Sequence, residues 1–441
     1  MSIIYDEKYK TITLHTRNTT YQMQIDRYGF LLHLYYGKTA EGCMDYLLTY
    51  YDRGFSGNPY EAETDRTYSM DALPQEFPSL GTGDYRTPAC IIKNTDRTYA
   101  SDFRYVSHTI KEGKYSLPGL PAVYADTDEA QTLEVVLADP VTGVQAVLLY
   151  GVLPQYDVIT RSVKIVNASK GHISVKKLAP ACLDLVGGAY DFITFYGRHA
   201  MERNCQRMPV GHGVAKIGSL RGTSSHQYNP AVILAEHDAT EDAGSCYAMT
   251  FVYSGGFQSE AGQDQYYQTR LLMGMSEEQF AYPLNPGEQF QSPEVILSYS
   301  SEGLSKLSQN MHRCIRSHLC RGKYKETVRP ILLNSWEASY FDFTGDSLFA
   351  LAQQAADLGI EMFVLDDGWF GKRDTDMRGL GDWVVNEEKL GCTLGELIEK
   401  INGMGLKFGI WIEPEMVNED SDLYREHPDW AFVIPGRRPN R

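Results

Sequence analysis

A change of period near residue 303 constrains this 441-residue chain more than any other feature. Before it, segment after segment alternates apolar and polar side chains. From Val158 to Val166, Thr160, Ser162 and Lys164 interleave with Ile159, Val163 and Ile165, the period of two expected of a half-buried strand. TITLHT, TYQMQI, LEVVLAD, VQAVLLY, AVILAEH, CYAMTFVYS and EVILSYS behave alike, between turns such as NPGE and YSGG. This pattern predicts a large antiparallel β-sandwich, because sheets that hide one face show such alternation.

After the change, Leu304, Leu307, Met311, Cys314 and Ile315 step by three and four, predicting a linking helix. Beyond Arg321, apolar runs alternate with helical ones: PILLNSW, DSLFALAQQAADLG, EMFVLDD, TLGELIEKINGMG and KFGIWIEP, a β-α-β-α-β order. Thr393 and Glu396 form a capping-box pattern ahead of Leu397, Ile398 and Ile401, and Gly405 supplies a stop. In the earlier helix, Asp346 is expected to cap, Leu348, Leu351, Ala352, Ala355 and Leu358 to form the apolar face, and Gly359 to end it. Strands this uniformly apolar are expected in a parallel sheet covered on both faces, and a (β/α) barrel and a doubly wound sheet fit equally. The expected organisation is a sandwich over 1–302, a linking helix over 303–325 and a βα region over 326–441.

The length supports two or more folding units. Against 57 acidic residues stand 41 Lys and Arg, a net charge of −16, and no run of five basic residues occurs; nucleic acid and membranes are therefore not expected as partners. Asp6 and Glu7 stand where a signal peptide needs an apolar core, and the expected location is cytoplasmic. Eight scattered cysteines with no CxxC pair read as reduced thiols, so no metal site is expected.

Parallel α/β folds place active sites at the C-terminal ends of their strands. Those ends carry Trp336 and Glu337, then Asp366 and Asp367, then Trp411, Glu413 and Glu415. Indoles beside carboxylates suit a sugar, whose CH face stacks on a ring while its hydroxyls donate to acids. The competing reading makes the indoles core residues and the acids helix caps.

Longer segments point further. NSWEASYFDF, GIEMFVLDDGWFG, GLGDWVVNEEKL and KFGIWIEPEMVNEDSDLYREHPDW closely resemble the α-galactosidases of glycoside hydrolase family 36. So do the upstream segments DRGFSGNPY, GTGDYRTPA, SLRGTSSHQYNPA, VYSGGF and SPEVILSYSSEGLSKLS, in order over nearly the whole chain. The resemblance implies an N-terminal antiparallel β-sandwich followed by a catalytic (β/α)8 TIM barrel, of which this chain holds the first three βα units. It implies retaining hydrolysis of terminal α-galactosyl residues in melibiose and raffinose-type oligosaccharides, with no metal or organic cofactor. By resemblance, Asp366 and Asp367 bind galactose hydroxyls far from the broken bond, Trp411 walls the galactose pocket and Trp336 narrows its mouth. Asp52 resembles a sandwich residue that reaches the active site of a neighbouring subunit, which implies a homo-oligomer, a tetramer. His199, in YGRHAMER, stands where relatives often present Trp, so no substrate contact is expected from that loop.

Glu413 and Glu415, spaced i, i+2, mimic a glycosidase acid pair. Retaining enzymes need two carboxyls roughly 5 to 5.5 Å apart, usually from different elements. The resemblance implies a nucleophilic Asp in a Lys-Trp-Asp segment on the fourth barrel strand and an acid/base Asp on the sixth. Neither segment occurs among the 441 residues. Both catalytic acids are therefore expected beyond Arg441, and the isolated chain is expected to be inactive. A raffinose-type galactosyltransferase, an α-N-acetylgalactosaminidase and a non-catalytic galactoside-binding remnant are the alternatives.

Overall fold

A computed structural model describes residues 2–53, 57–278 and 280–437. The chain divides into two compact units, Met1–Lys325 and Glu326–Arg441.

The first unit is built from antiparallel sheets. Strands Ile3–Asp6, Thr11–His15, Thr19–Ile25 and Leu31–Lys38 form one sheet in chain order, and a ten-stranded sheet runs from Met201–Pro209 at one edge to Arg104–Glu112 at the other. A four-stranded sheet is centred on Phe257–Gln263 and Thr269–Met275, and a three-stranded one on Ile173–Leu178. One core joins them: Ile12, Leu14 and Tyr21 pack with Leu133, Leu148 and Val163 and with Leu183 and Leu271. Strand Val158–Val166 departs from the expected half-buried pattern. Thr160 and Ser162 are buried as fully as Ile159 and Val163, because other segments cover the polar face. Their hydroxyls donate to Tyr115 Oη at 3.0 Å and to the Ser292 carbonyl at 2.8 Å, so burial leaves neither unpaired.

The period change falls at Gly303, the first residue of helix Gly303–His318. Its φ of +76° belongs to the left-handed region, and a Cβ there would lie 2.5 Å from the Ala243 nitrogen, so only glycine fits. The helix buries Leu307, Met311 and Cys314 against Val158, Ala248 and Ile296. It is a packed layer of the first unit.

The second unit has a three-stranded parallel sheet, Leu332–Asn334, Met362–Leu365 and Lys407–Ile410, with neighbours in chain order. Helices Gly345–Asp357 and Leu394–Gly403 connect the strands. Phe363 and Leu365 meet Leu348, Ala352, Leu397 and Ile401 in the core. Each strand is shorter than its apolar run, and the expected coverage on both faces is not met: Ile331, Leu332, Ile410 and Ile412 are exposed. Leu332 and Ile410 lie on the two outer strands, which have a neighbour on one side only, and Ile331 and Ile412 flank those strands.

The Thr393–Glu396 capping box is present as expected. The earlier helix is capped by Thr344, not Asp346: Thr344 and Ser347 exchange side-chain to backbone bonds, and Asp346 lies in the first turn. Serine at the third helical position serves here in place of the usual Glu or Gln. Leu358, expected on the apolar face, is 83% exposed, because the helix has ended and the chain turns at Gly359, φ +83°.

Candidate active site at the ends of the parallel strands

The central strand ends at Leu365, and the backbone N–H of Asp366 donates to Ser335 Oγ at 3.1 Å, tying it to the neighbouring strand end. Asp366 Oδ1 accepts the Asp367 N–H at 2.7 Å, and Oδ2 accepts Asn334 Nδ2 at 2.5 Å. Asn334 also accepts the Trp336 N–H at 2.8 Å, so one amide orients the acid and starts the turn carrying the indole. Half-buried Trp336 packs edge-on against Tyr340 and Phe341, at 5.1 and 5.0 Å between centroids.

Asp367 is held harder. Oδ1 accepts the Gly368 N–H at 2.7 Å, Oδ2 accepts Arg373 Nη2 at 2.7 Å, and the Arg373 Nε–H is shared between them, 3.0 Å from Oδ1 and 3.1 Å from Oδ2. A carboxylate oxygen offers about two acceptor directions. Asp366 thus keeps one vacant direction on each oxygen, whereas the three N–H groups on Asp367 leave room for one further donor, divided between its oxygens by the shared Nε–H. Gly368 is required by its φ of +95° and by crowding: a Cβ would sit 3.0 Å from the Phe341 ring and 3.2 Å from Lys389 Nζ. Lys389 donates to the Gly368 carbonyl at 2.9 Å, and its burial pushes its pKa down.

Trp411 follows the third strand. Its N–H donates to the Leu365 carbonyl at 2.9 Å, next to the acid pair, and its own carbonyl accepts Trp369 Nε1 at 3.0 Å. Trp383 lies edge-on to it, 6.2 Å between centroids. Half-buried Trp411 therefore rests on two further indoles. Glu413 is partly buried and Glu415 exposed. Burial, then Glu415 and Asp367, push the Glu413 pKa up, while Arg373 opposes the rise. Asp382 accepts the N–H groups of Asp422 and Leu423 at 3.0 and 2.9 Å, so it caps the short helix Asp422–Glu426.

Asp52 belongs to the first unit. Tyr51 stacks on Tyr266 at 3.7 Å, and Arg53 donates to Tyr266 Oη at 2.7 Å and pairs with Asp71. Between these anchors the Asp52 side chain is 60% exposed and accepts Arg66 Nε at 3.1 Å, with Nη2 of the same ion pair 3.0 Å away. Residues 54–56 of the DRGFSGNPY segment lie outside the described residues. His199 is exposed between strands Tyr190–Arg198 and Met201–Pro209. Among the described residues, no group of His, Cys, Asp and Glu is placed to hold a metal ion, and no helix is long and apolar enough to cross a membrane.

The structure brings together Asp366, Asp367, Trp336 and Trp411 through the bonds of Asn334, Ser335 and Leu365. Arg373, Asn334, Lys389 and Trp383 are the supports that sequence reasoning missed. Only Asn334 carried a signal, as the polar residue that closes the apolar run of strand Leu332–Asn334.

The family model of the glycosyl hydrolase family 36 N-terminal domain matches residues 29–285, and the Melibiase model matches residues 289–441. The chain belongs to glycosyl hydrolase family 36. Over 441 residues this family 36 chain is 63% identical to the bifunctional alpha-galactosidase/sucrose kinase AgaSK of Mediterraneibacter gnavus, covering 100% of this chain and 47% of that protein. It resembles the solved galactosidase domain of AgaSK with a TM-score of 0.96, covering 100% of this chain and 61% of that one. A variant of the family 36 alpha-galactosidase AgaA from Geobacillus stearothermophilus, in complex with raffinose, is 41% identical with a TM-score of 0.94, covering 98% of this chain and 60% of that one. The chain spans about half the length of AgaSK.

Proposed function

We propose that this chain supplies the sugar-holding half of a retaining α-galactosidase acting on terminal α-galactosyl residues of melibiose and raffinose-type oligosaccharides. The nucleophile and the acid/base come, in this reading, from sequence outside the 441 residues, on later strands of a (β/α)8 barrel. The observation that carries it is Asp366, oriented by Asn334 yet keeping a vacant acceptor direction on each oxygen beside Trp336 and Trp411, next to an Asp367 that Arg373 holds. Hydroxyls donate to the acids while the ring face meets indole, and an epimer that misplaces one hydroxyl leaves a charged acceptor unpaired, which is costly.

Asp52 is proposed to reach the active site of a neighbouring copy in a tetramer, a reading supported by the way Tyr51 and Arg53 are pinned on either side of it. Eight unpaired cysteines support a reducing, cytoplasmic setting.

The test joins this chain to the remaining barrel of the AgaSK galactosidase domain and measures galactose release from melibiose and raffinose. The joined protein is expected to turn over both, and the 441-residue chain alone neither. Turnover by the chain alone, persisting after removal of host enzyme, would make Glu413 and Glu415 the acid pair and overturn the assignment.

A further inference from the structure

We infer that Arg373 is the positioning residue of the sugar site, fixing the orientation in which the Asp367 carboxylate meets a substrate hydroxyl. This rests on the reading of the site just proposed. An aspartate at a strand end has several side-chain rotamers open to it. A planar guanidinium that meets both carboxylate oxygens, Nε at 3.0 Å from Oδ1 and 3.1 Å from Oδ2 and Nη2 at 2.7 Å from Oδ2, leaves it one.

The guanidinium is itself fixed. Arg373 Nη1 donates to the Arg378 carbonyl and to Asn418 Oδ1, each at 3.0 Å. Asn418 holds the backbone of the other loop, its N–H donating to the Leu380 carbonyl at 3.0 Å and its side-chain Oδ1 accepting the Leu380 N–H at 3.0 Å. The loops after the second and third strands are thereby clipped together through the group that aims Asp367. The chain follows Arg373 closely: a Cβ on Gly379 would sit 3.0 Å from the Arg373 nitrogen.

A pair this buried is a poor choice for stability alone, since apolar residues of similar volume serve as well or better. Its value lies in geometry. Lysine would keep the charge but is a point donor without the fork, so it cannot hold both oxygens in one plane.

The experiment uses the joined protein described above and compares Arg373→Lys, Asp367→Asn and the double variant. Arg373→Lys is expected to raise KM for melibiose and the inhibition constant of galactose about tenfold, the loss of one charge-assisted bond, with kcat changed less. In the Asp367→Asn background the same change is expected to cost little more, because the arginine acts through that carboxylate. If Arg373→Lys does not fold, the same cycle run with Asn418→Ala, which leaves the ion pair in place, decides. Equal losses in both backgrounds, or an early-melting variant with KM and the galactose constant unchanged, would overturn the inference and leave the function reading standing. A joined wild-type protein that neither hydrolyses an α-galactoside nor binds galactose would overturn the function reading and this inference with it.

Discussion

In the sandwich, Arg161 Nη2 lies 3.5 Å from Glu76 with both side chains sealed from solvent; in the parallel unit, Arg373 Nη2 lies 2.7 Å from Asp367 beside a half-buried second acid. Glu76 also accepts the hydroxyls of Tyr21 and Tyr150 at 2.7 and 2.6 Å, and His33 Nδ1 lies 2.7 Å away. Burial pushes the Glu76 carboxyl up, but Arg161, then the bond to His33, hold it below its ordinary value. Glu76 is sealed from solvent, so no donor from outside the protein can reach it and the cluster serves to hold the sheets together. Half-buried Asp366 at the strand end keeps one direction vacant on each oxygen. The same two functional groups make scaffold in one place and a site in the other, and the count of unused acceptors is the difference.

Four experiments break or sharpen that contrast. Glu76→Gln should cost the most, about 3 to 5 kcal/mol, because it leaves Arg161 buried without a counter-charge. Urea unfolding followed by tyrosine fluorescence measures it, and a loss below about 1 kcal/mol would mean the cluster is not scaffold. Asp366→Ala in the joined protein should lower kcat/KM roughly tenfold to a hundredfold, the value of one or two charge-assisted bonds. Its melting temperature should barely move, whereas Asp382→Ala should melt early with catalysis retained, since Asp382 caps a helix. Early melting of Asp366→Ala with intact catalysis would reduce the acid pair to caps.

The third is a pH dependence. Burial alone would push the Asp184 carboxyl up, but Arg270, at 2.7 Å, and Arg86 hold it down at about 2, against 3.8 for the free group. A depressed folded value stabilises the sandwich at pH above about 4 and ceases to do so as pH falls toward 2, a contribution of about 2 kcal/mol. Acid unfolding of wild type should show this slope and Asp184→Asn should lack it; identical slopes would detach Asp184 from acid stability. The smallest effect belongs to Thr393→Ala, which removes a capping box and should cost about 1 kcal/mol. The loss should appear in the parallel unit, as faster amide exchange along Leu394–Gly403 with the sandwich strands unaltered. Unchanged exchange there would show that packing of Leu397 and Ile401 suffices without the cap.

Much of the framework was legible because local chemistry repeats. The strands of TITLHT, TYQMQI, CYAMTFVYS and EVILSYS lie where alternation put them, and the capping box at Thr393 needs only two residues three apart. Local rules failed where a distant segment intervened. Val158–Val166 alternates like a half-exposed strand but is central and covered, its hydroxyls satisfied by Tyr115 and Ser292 from far along the chain. Asp346 was the cap expected from the sequence, and only the backbone path selected Thr344 two residues earlier.

At the candidate site the same division holds. That acids and indoles end the parallel strands follows from the order of residues, because a strand of known direction carries its next residues to a known end. Which oxygens of those acids remain available does not follow from order. It depends on Arg373 folding back six residues, on Asn418 arriving from the next loop, and on Asn334 reaching from the neighbouring strand. Period and caps are set by neighbours three or four residues apart, so a sequence states them; the pairing of a buried charge is set by whichever side chain packing brings within 3 Å, and only the tertiary structure states that.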